Sequence, residues 1–455
     1  MKISLNWLKQ FIDLKESPQE ISKILTDTGL EVEGIEEIES IPGGLKGLVI
    51  GEVIECAPHP NADKLKLTKV DIGADELAPI VCGAPNVEKG QKVVVATVGT
   101  TLYPSSGESF QIKKAKIRGE VSEGMICAED EIGLGSSHAG IMVLDTKLAN
   151  GTPAAEYFNL ESDYVIEIGL TPNRADAASH LGVARDLKAA LGLDIKLPEL
   201  KKIQPTTMQG AIELTVENYL ACPRYSGITI RNITVTDSPD WLQNRLKAIG
   251  INPTNNIVDI TNYVLHSLGQ PMHAFDADAI SGGHVIVKNL PEGTTFKTLD
   301  EKERKLFAED LMICNTEEGM CIAGVFGGIK SGVTHQTTSV FLESAYFSPD
   351  SIRKTAQKHQ LKTDAAFRYE RGTDPNITRF ALEFATNLVL ELAGGEVVGD
   401  VLDLYPNPIE DFKIEVTYNR INQLIGKELE KELIANILKG LDIRLENKSE
   451  EGFTA

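Results

Sequence analysis

The chain has 455 residues, of which 42% are hydrophobic, more than one ordinary core accommodates, so a multidomain globular protein is expected. A formal charge of −21 excludes indiscriminate binding to nucleic acid, because neutralising phosphates takes clustered Lys and Arg. Apolar runs such as 93–98 fall far short of the ~18 residues of a membrane-spanning helix. The opening Met1-Lys2-Ile3-Ser4-Leu5-Asn6-Trp7 has no signal-peptide core, and the six cysteines form no CxxC pair, so a cytoplasmic chain with reduced thiols and no metal site is expected.

Residues 1–39 open with a short amphipathic piece around Trp7, Leu8, Phe11 and Ile12. Ser17-Pro18-Gln19-Glu20 then reads as a capping box, with Pro in the first helical position. Ile21, Ile24 and Leu25 share the buried face of the helix that follows, and Gly29 suits its end. From 40 to 151 the period falls to two. Runs at 67–72, 78–82, 92–98, 110–117 and 124–128, separated by Gly, Pro and Asn turns, predict a small antiparallel β-barrel, for which an OB fold is expected.

Residues 152–200 return to helix, with Asp176 as N-cap of 177–191. The pieces 1–39 and 152–200 are expected to form one discontinuous N-terminal α/β domain into which the barrel is inserted. Pro-Glu-Leu-Lys-Lys at 198–202 reads as a linker. Beyond it, strands at 212–216, 225–231, 284–288 and 340–344 mix with helices at 241–249, 257–268 and 376–393, making 210–400 an α+β domain. The last stretch, 405–455, restarts after Tyr405-Pro406-Asn407-Pro408 with a strand at 413–417 and helices at 419–425 and 430–441, and reads as an incomplete domain.

Several residues stand apart from this scaffold. Lys113, Lys114, Lys116 and Arg118 are either a local polyanion patch or a solvated strand face. Ile257, Ile260, Val264 and Leu268 make one helical stripe, with Asn256 as N-cap and Gly269 past the end, which leaves Thr261, Asn262 and the later His273 over. His273 is either packed or functional, Glu343 either a solvated edge residue or a buried acceptor, and the glycines at 324, 327 and 328 either a turn or a place of close approach. Asp364, Arg368 and Arg371 are either a structural ion-pair group or a contact surface. No Ser lies in a Gly-x-Ser-x-Gly elbow, so no nucleophilic triad is read.

Three stretches carry a family resemblance. Val49-Ile50-Gly51-Glu52-Val53, His59-Pro60-Asn61-Ala62-Asp63-Lys64-Leu65, Val81-Cys82-Gly83-Ala84-Pro85-Asn86-Val87 and Ile117-Arg118-Gly119 with Ser122-Glu123-Gly124-Met125-Ile126-Cys127 occur in order. The series resembles the tRNA-binding OB domain of synthetase β subunits and of free-standing tRNA-binding proteins. Asn255-Asn256-Ile257-Val258-Asp259-Ile260-Thr261-Asn262-Tyr263 through Gly269-Gln270-Pro271-Met272-His273 is similar to the editing domain of bacterial phenylalanyl-tRNA synthetase β subunits. Ala323-Gly324-Val325-Phe326-Gly327-Gly328, Leu342-Glu343-Ser344-Ala345 and Lys362-Thr363-Asp364-Ala365-Ala366 extend that likeness. The chain departs from many relatives in carrying Asn252 before Pro253.

The resemblance implies a B3/B4 editing domain over 210–400 and the start of a winged-helix-like B5 domain at 405–455, inside which the chain is cut. It also implies that the chain binds tRNA(Phe), for which the local charge cluster Lys113, Lys114, Lys116 and Arg118 is the candidate contact, and that it hydrolyses mischarged Tyr-tRNA(Phe). In the family's α2β2 heterotetramer ATP and phenylalanine bind the α subunit, and the magnesium-contacting acidic residues of the domain that starts near 405 would lie beyond Ala455. ATP and Mg2+ thus belong to the holoenzyme, and this chain is expected to bind no cofactor itself and to associate with no membrane. An apolar pocket rejects an added hydroxyl by only about 10²-fold, so a second site that selects tyrosine's hydroxyl is useful. By resemblance Glu343 accepts that phenol; His273, Thr261 and Asn262 hold the tRNA end and a water; Ala323, Gly324, Gly327, Thr363 and Ala365 line the pocket. The alternative is a non-catalytic tRNA-binding scaffold, against which the joint presence of Thr261, Asn262, His273 and Glu343 argues; a general esterase lacks its nucleophile.

Overall fold

The computed structural model describes residues 1–39, 41–105, 107–135, 137–158 and 162–455. These divide into two compact units, Glu37–Asp163 and Met1–Glu36 with Tyr164–Ala455. Residues just beyond 151 stay with the inserted unit because the short helix Ala154–Tyr157 buries Ala154 in its core.

The inserted unit is built on an antiparallel sheet in the order Met125–Ile126, Lys92–Ala96, Leu48–Pro58, Lys66–Asp71, Ala78–Cys82. Alternation gives each face a core: Val93 and Val95 join Val53, Val70 and Ile80, whereas Val94 and Ala96 join Ile50 and Leu102. Burial on both faces is why 93–96 reads as a continuous apolar run. The Glu123 N–H donates to the Pro79 carbonyl at 2.8 Å, bringing the chain ahead of Met125–Ile126 back to the Ala78–Cys82 strand.

The single strand expected at 110–117 is two short ones. Phe110–Gln111 pairs with Thr101–Leu102, and Ala115–Ile117 forms a hairpin with Glu120–Ser122. The break falls at Lys113-Lys114, whose side chains are exposed.

In the main unit, Ser17 and Glu20 form the expected reciprocal cap of helix Pro18–Asp27. The helix ends with the Gly29 N–H on the Thr26 carbonyl and the Leu30 N–H on the Leu25 carbonyl, a Schellman closure. Two caps differ from expectation. Ser179, not Asp176, caps helix His180–Leu191 by accepting from the Gly182 N–H, while Asp176 sits in a 3-10 turn bound to Arg174. Asn255, not Asn256, caps helix Asn256–Leu268; Asn256 is fully buried and donates to the Thr234 carbonyl instead.

The N-terminal piece does not keep a core to itself. Trp7, fully buried, stacks between His180 and Tyr263 at ring distances of 4.2 and 4.8 Å, and its Nε1–H donates to Ser267 Oγ at 3.0 Å. Residues from 1–39, 166–187 and 228–397 share that one hydrophobic cluster.

Two sheets organise the region after the linker. The first, antiparallel, runs Met272–Asp276, Ser339–Tyr346, Arg224–Arg231, Glu396–Leu404. The second runs Glu213–Val216, His284–Asn289, Leu311–Cys314, Gly319–Ile322, Phe326–Gly327, its first pair parallel. Helices Asn256–Leu268 and Ile377–Leu392 cover one face of the first sheet through the Trp7 cluster; the other face shares a second apolar cluster with the second sheet. The last segment forms helices Tyr418–Ile425 and Lys431–Gly440 and pairs Glu415–Thr417 with Gly452–Thr454.

Trp7→Ala is expected to destabilise the main unit by about 3–5 kcal/mol, as large-to-small changes at buried aromatics do. Urea unfolding of the full chain checks this, and a loss below about 1 kcal/mol would mean that the N-terminal piece is not integral to the core.

Candidate functional site

The first sheet fixes the geometry of the site. His273 stands directly opposite Glu343 on one side of the Ser339–Tyr346 strand, and Gly227 stands opposite it on the other. Val340 and Leu342 belong to the helix-covered cluster, whereas Phe341, Ala345 and Phe275 belong to the second. With a period of two, Glu343 and His273 therefore face the second cluster. A Cβ on Gly227 would lie 2.2 Å from Phe341 Cζ, so the Phe341 ring takes the space beside Glu343 that any other residue would need.

Glu343 is 4% exposed. The Tyr225 hydroxyl donates to its Oε2 at 2.8 Å, while Oε1 has no hydrogen-bond partner among the described residues. Burial pushes the carboxyl up to about 7, against the opposing pull of the Tyr225 hydrogen bond. His273 lies edge-on to Phe275 at 4.3 Å, and its loss of solvent pushes it down to about 4, so the imidazole is neutral at physiological pH.

Strands Gly319–Ile322 and Phe326–Gly327 pair as a hairpin, and its Gly327 end lies beside His273. A Cβ on Gly327 would come 3.2 Å from His273 Cε1. Cys321, the register partner of Gly327, has its thiol pushed well up by burial and by the Glu343 charge. In the turn, Gly324 has φ +66°, and a Cβ there would meet Phe347 and Ile352 at 2.8 Å, so both backbone and space demand glycine. The Thr363 hydroxyl donates to the Val325 carbonyl at 3.0 Å and caps helix Asp364–Tyr369 through the Ala366 N–H. Ala323 is buried in the same apolar cluster, and Ala365 packs against it. Glu343, His273, Ala323, Gly324, Gly327, Thr363 and Ala365 are thus gathered around one layer between the two sheets.

Thr261 and Asn262 are placed differently. They lie on helix Asn256–Leu268, which packs on the sheet face opposite Glu343. The Thr261 hydroxyl donates to the Val258 carbonyl at 2.7 Å, and among the described residues no hydrogen bond joins either side chain to Glu343 or His273. Arg368, 3% exposed, is structural: it donates to the Ala178 carbonyl and to Asp364, and burial pushes it down to about 10. Arg371 pairs with Glu370 and lies over the Phe367 ring at 3.8 Å.

Three residues of this layer were given no role in the sequence reading, although Gln270 and Tyr369 lie within stretches that carry the family likeness. Tyr225, Gln270 and Tyr369 are all buried; the Gln270 amide donates to the Ala345 carbonyl at 2.8 Å, and the Tyr369 hydroxyl reaches the same oxygen. Tyr225 lies 118 residues from Glu343, so no spacing rule connects them. The one available signal was a tyrosine in the strand Arg224–Arg231, whose other inner residues, 226–230, are small or β-branched.

In the inserted unit, Lys113, Lys114, Lys116 and Arg118 are all exposed, and Lys114 pairs with Glu123. Arg118 and Gly119, both at positive φ, form the tip of the Ala115–Ile117 hairpin. The hairpin borders a groove of about 550 Å³ whose lining includes Val81, Pro85, Lys113 and Ile117. Other motif residues hold the fold. His59 Nδ1 accepts from the Asn61 N–H, the Asn86 amide bonds both backbone groups of Ile141, and Ser122 Oγ accepts from the Val81 N–H.

Among the described residues no group of three or more His, Cys, Asp or Glu side chains is disposed to hold a metal ion, and no helix is long and apolar enough to cross a membrane.

Residues 221–394 match the family model described as "B3/4 domain", and residues 48–153 the one described as "Putative tRNA binding domain". The phenylalanine–tRNA ligase β subunit of Bacteroides fragilis (strain YCH46) is 54% identical over 461 residues, covering 100% of this chain and 56% of that protein. The β subunit of Porphyromonas gingivalis is 54% identical over 458 residues, with 99% and 55% covered. A solved N-terminal fragment of the phenylalanyl-tRNA synthetase β-subunit from Pyrococcus horikoshii is 16% identical, covering 64% of this chain and 81% of that one at a TM-score of 0.31. The chain spans about half the length of the curated relatives it matches. By this correspondence along the whole of the given chain and its two matched domains, the chain belongs to the phenylalanine–tRNA ligase β-subunit family.

Proposed function

We propose that the layer around Glu343 hydrolyses tyrosine esterified to tRNA(Phe), while the inserted unit grips the tRNA. The observation that carries this reading is a buried carboxylate with one oxygen unused, set directly opposite a neutral imidazole. An ionised carboxylate in an apolar layer accepts a phenol in a charge-assisted hydrogen bond of about 1.5–3 kcal/mol, which a phenylalanyl group cannot make. The ester is already activated, so hydrolysis needs a placed water and stabilisation of the developing oxyanion more than a protein nucleophile. Neutral His273 is suited to hold that water.

Thr261 and Asn262 stay in the proposal as contacts to the tRNA end, reached from the helix side of the sheet. In this reading the inserted unit is an OB fold and 405–455 belongs to a B5 domain. The protein works in the cytoplasm as the β partner of an α subunit in an α2β2 ligase, whose holoenzyme uses ATP and Mg2+.

Deacylation of Tyr-tRNA(Phe) by the purified chain tests the reading. Glu343→Ala should lower kcat/KM by about 10–100-fold, the loss of one charge-assisted bond; an unchanged rate would overturn it. Because Glu343 must be ionised to accept, kcat/KM should rise with pH through about 7. The same shift has a stability consequence. Its folded value lies above the unfolded 4.5, so the protonated form's contribution is present below pH 4.5 and lost as pH climbs through 7; Glu343→Gln should flatten that decline in a thermal-shift series.

His273→Ala is expected to slow deacylation without moving the melting temperature by more than a few degrees. A wild-type rate would remove His273 from the site.

Replacing Lys113, Lys116 and Arg118 together by Ala should weaken tRNA binding and reduce the slope of log K against log [salt] by about 2–3. Filter binding at several salt concentrations measures it, and an unaltered slope would assign the tRNA contact elsewhere.

A further inference from the structure

The Tyr225 hydroxyl is fully buried, and the reaction proposed above leaves it without a task. Its strand places it opposite Ala345, diagonal to Glu343 on the same sheet face, a separation that an aromatic side chain spans. It donates to Oε2 of Glu343. A glutamate side chain has several rotamers and could turn either oxygen toward a ligand; one fixed donor removes that freedom. The directly facing position on the Tyr225 strand is Gly227, covered by the Phe341 ring, so nothing from that position competes for the carboxylate.

We infer that Tyr225 is the positioning residue for the Glu343 acceptor: by occupying Oε2 it assigns Oε1 to the side-chain hydroxyl of the esterified amino acid. The inference rests on the hydrolytic reading of the same layer and adds to it the group that sets its selectivity. Tyr225 and the substrate phenol are then like donors on the two oxygens of one carboxylate.

The surroundings make this arrangement consequential. The titratable groups around Glu343 are Tyr225 from one strand, Cys222 just ahead of that strand, Cys321 from the hairpin, Tyr369 from the helix Asp364–Tyr369, and His273 from the neighbouring strand. Burial keeps those phenols and thiols protonated and His273 neutral, so none of these groups offers the carboxylate a counter-charge. Hydrogen-bond donors have to sustain its ionised form, and Tyr225 is the donor in place before substrate arrives.

The test measures Tyr-tRNA(Phe) and Phe-tRNA(Phe) deacylation by the full chain between pH 6 and 9, for wild type, Tyr225→Phe, Tyr225→3-fluorotyrosine and Glu343→Ala. Tyr225→Phe should raise KM for Tyr-tRNA(Phe) about ten-fold at pH 7 with kcat within about two-fold, and should move the midpoint of the pH profile upward. Tyr225→3-fluorotyrosine, nearly unchanged in size and a stronger donor, should move the midpoint downward, which a merely space-filling tyrosine would not do. If both Tyr225 variants keep the wild-type KM and pH midpoint while Glu343→Ala loses its preference for the tyrosyl ester, the positioning role is overturned and the Glu343 reading stands. If Glu343→Ala also behaves as wild type, the hydrolytic reading itself falls. Should Tyr225→Phe fold poorly, the fluorinated variant alone decides, because an unmoved midpoint there overturns the inference.

Discussion

The candidate site is organised around the burial of one carboxylate, Glu343. An isolated charge in an apolar layer is costly, and a protein either neutralises it or surrounds it with donors. Glu343 takes an intermediate course, one oxygen bonded to Tyr225 and the group poised near neutrality. The sheet that carries it is shaped accordingly. A glycine faces it on one side, an uncharged histidine on the other, and the Phe341 ring closes the space between neighbouring strands. The apolar layer is there for packing, yet it also gives a hydrogen bond to Glu343 more weight than it would have in water.

The helices on the opposite face play a different part. Trp7, His180, Tyr263 and Ser267 come from three remote stretches and fix the far side of the same sheet. His180 Nδ1 meets the His266 carbonyl and its Nε2 accepts from the Ser4 N–H, so its polar atoms are spoken for inside the core. This is architecture, and it gives the strands of the site a rigid backing.

Much of the fold was legible because local rules were obeyed. The capping box at Ser17, the alternating strand at 78–82 and the stripe Ile257, Ile260, Val264 and Leu268 appear where periodicity places them. Caps slipped where two candidates stood close together: Asn255 beats Asn256, and Ser179 beats Asp176, because only geometry decides which side chain reaches the free N–H groups. Of the site, the pairing of His273 with Glu343 could not be read from spacing, since strand register across 70 residues is a tertiary property; the family likeness supplied the names and the sheet supplies the contact. Tyr225 was invisible for the converse reason, having no motif around it and only a long-range hydrogen bond to mark it.

The interrupted core also bears on how the chain is made. Trp7 finds its hydrogen-bond partner 260 residues later, and the cluster around it draws on residues as far as Val397. The segment Glu37–Asp163 carries its own cores and closes early, whereas the first thirty-odd residues emerge from the ribosome with their apolar side chains unmatched. Synthesis therefore leaves these side chains waiting through some twenty seconds or more of elongation, at about 5–20 residues per second, until the last strand of the sheet arrives.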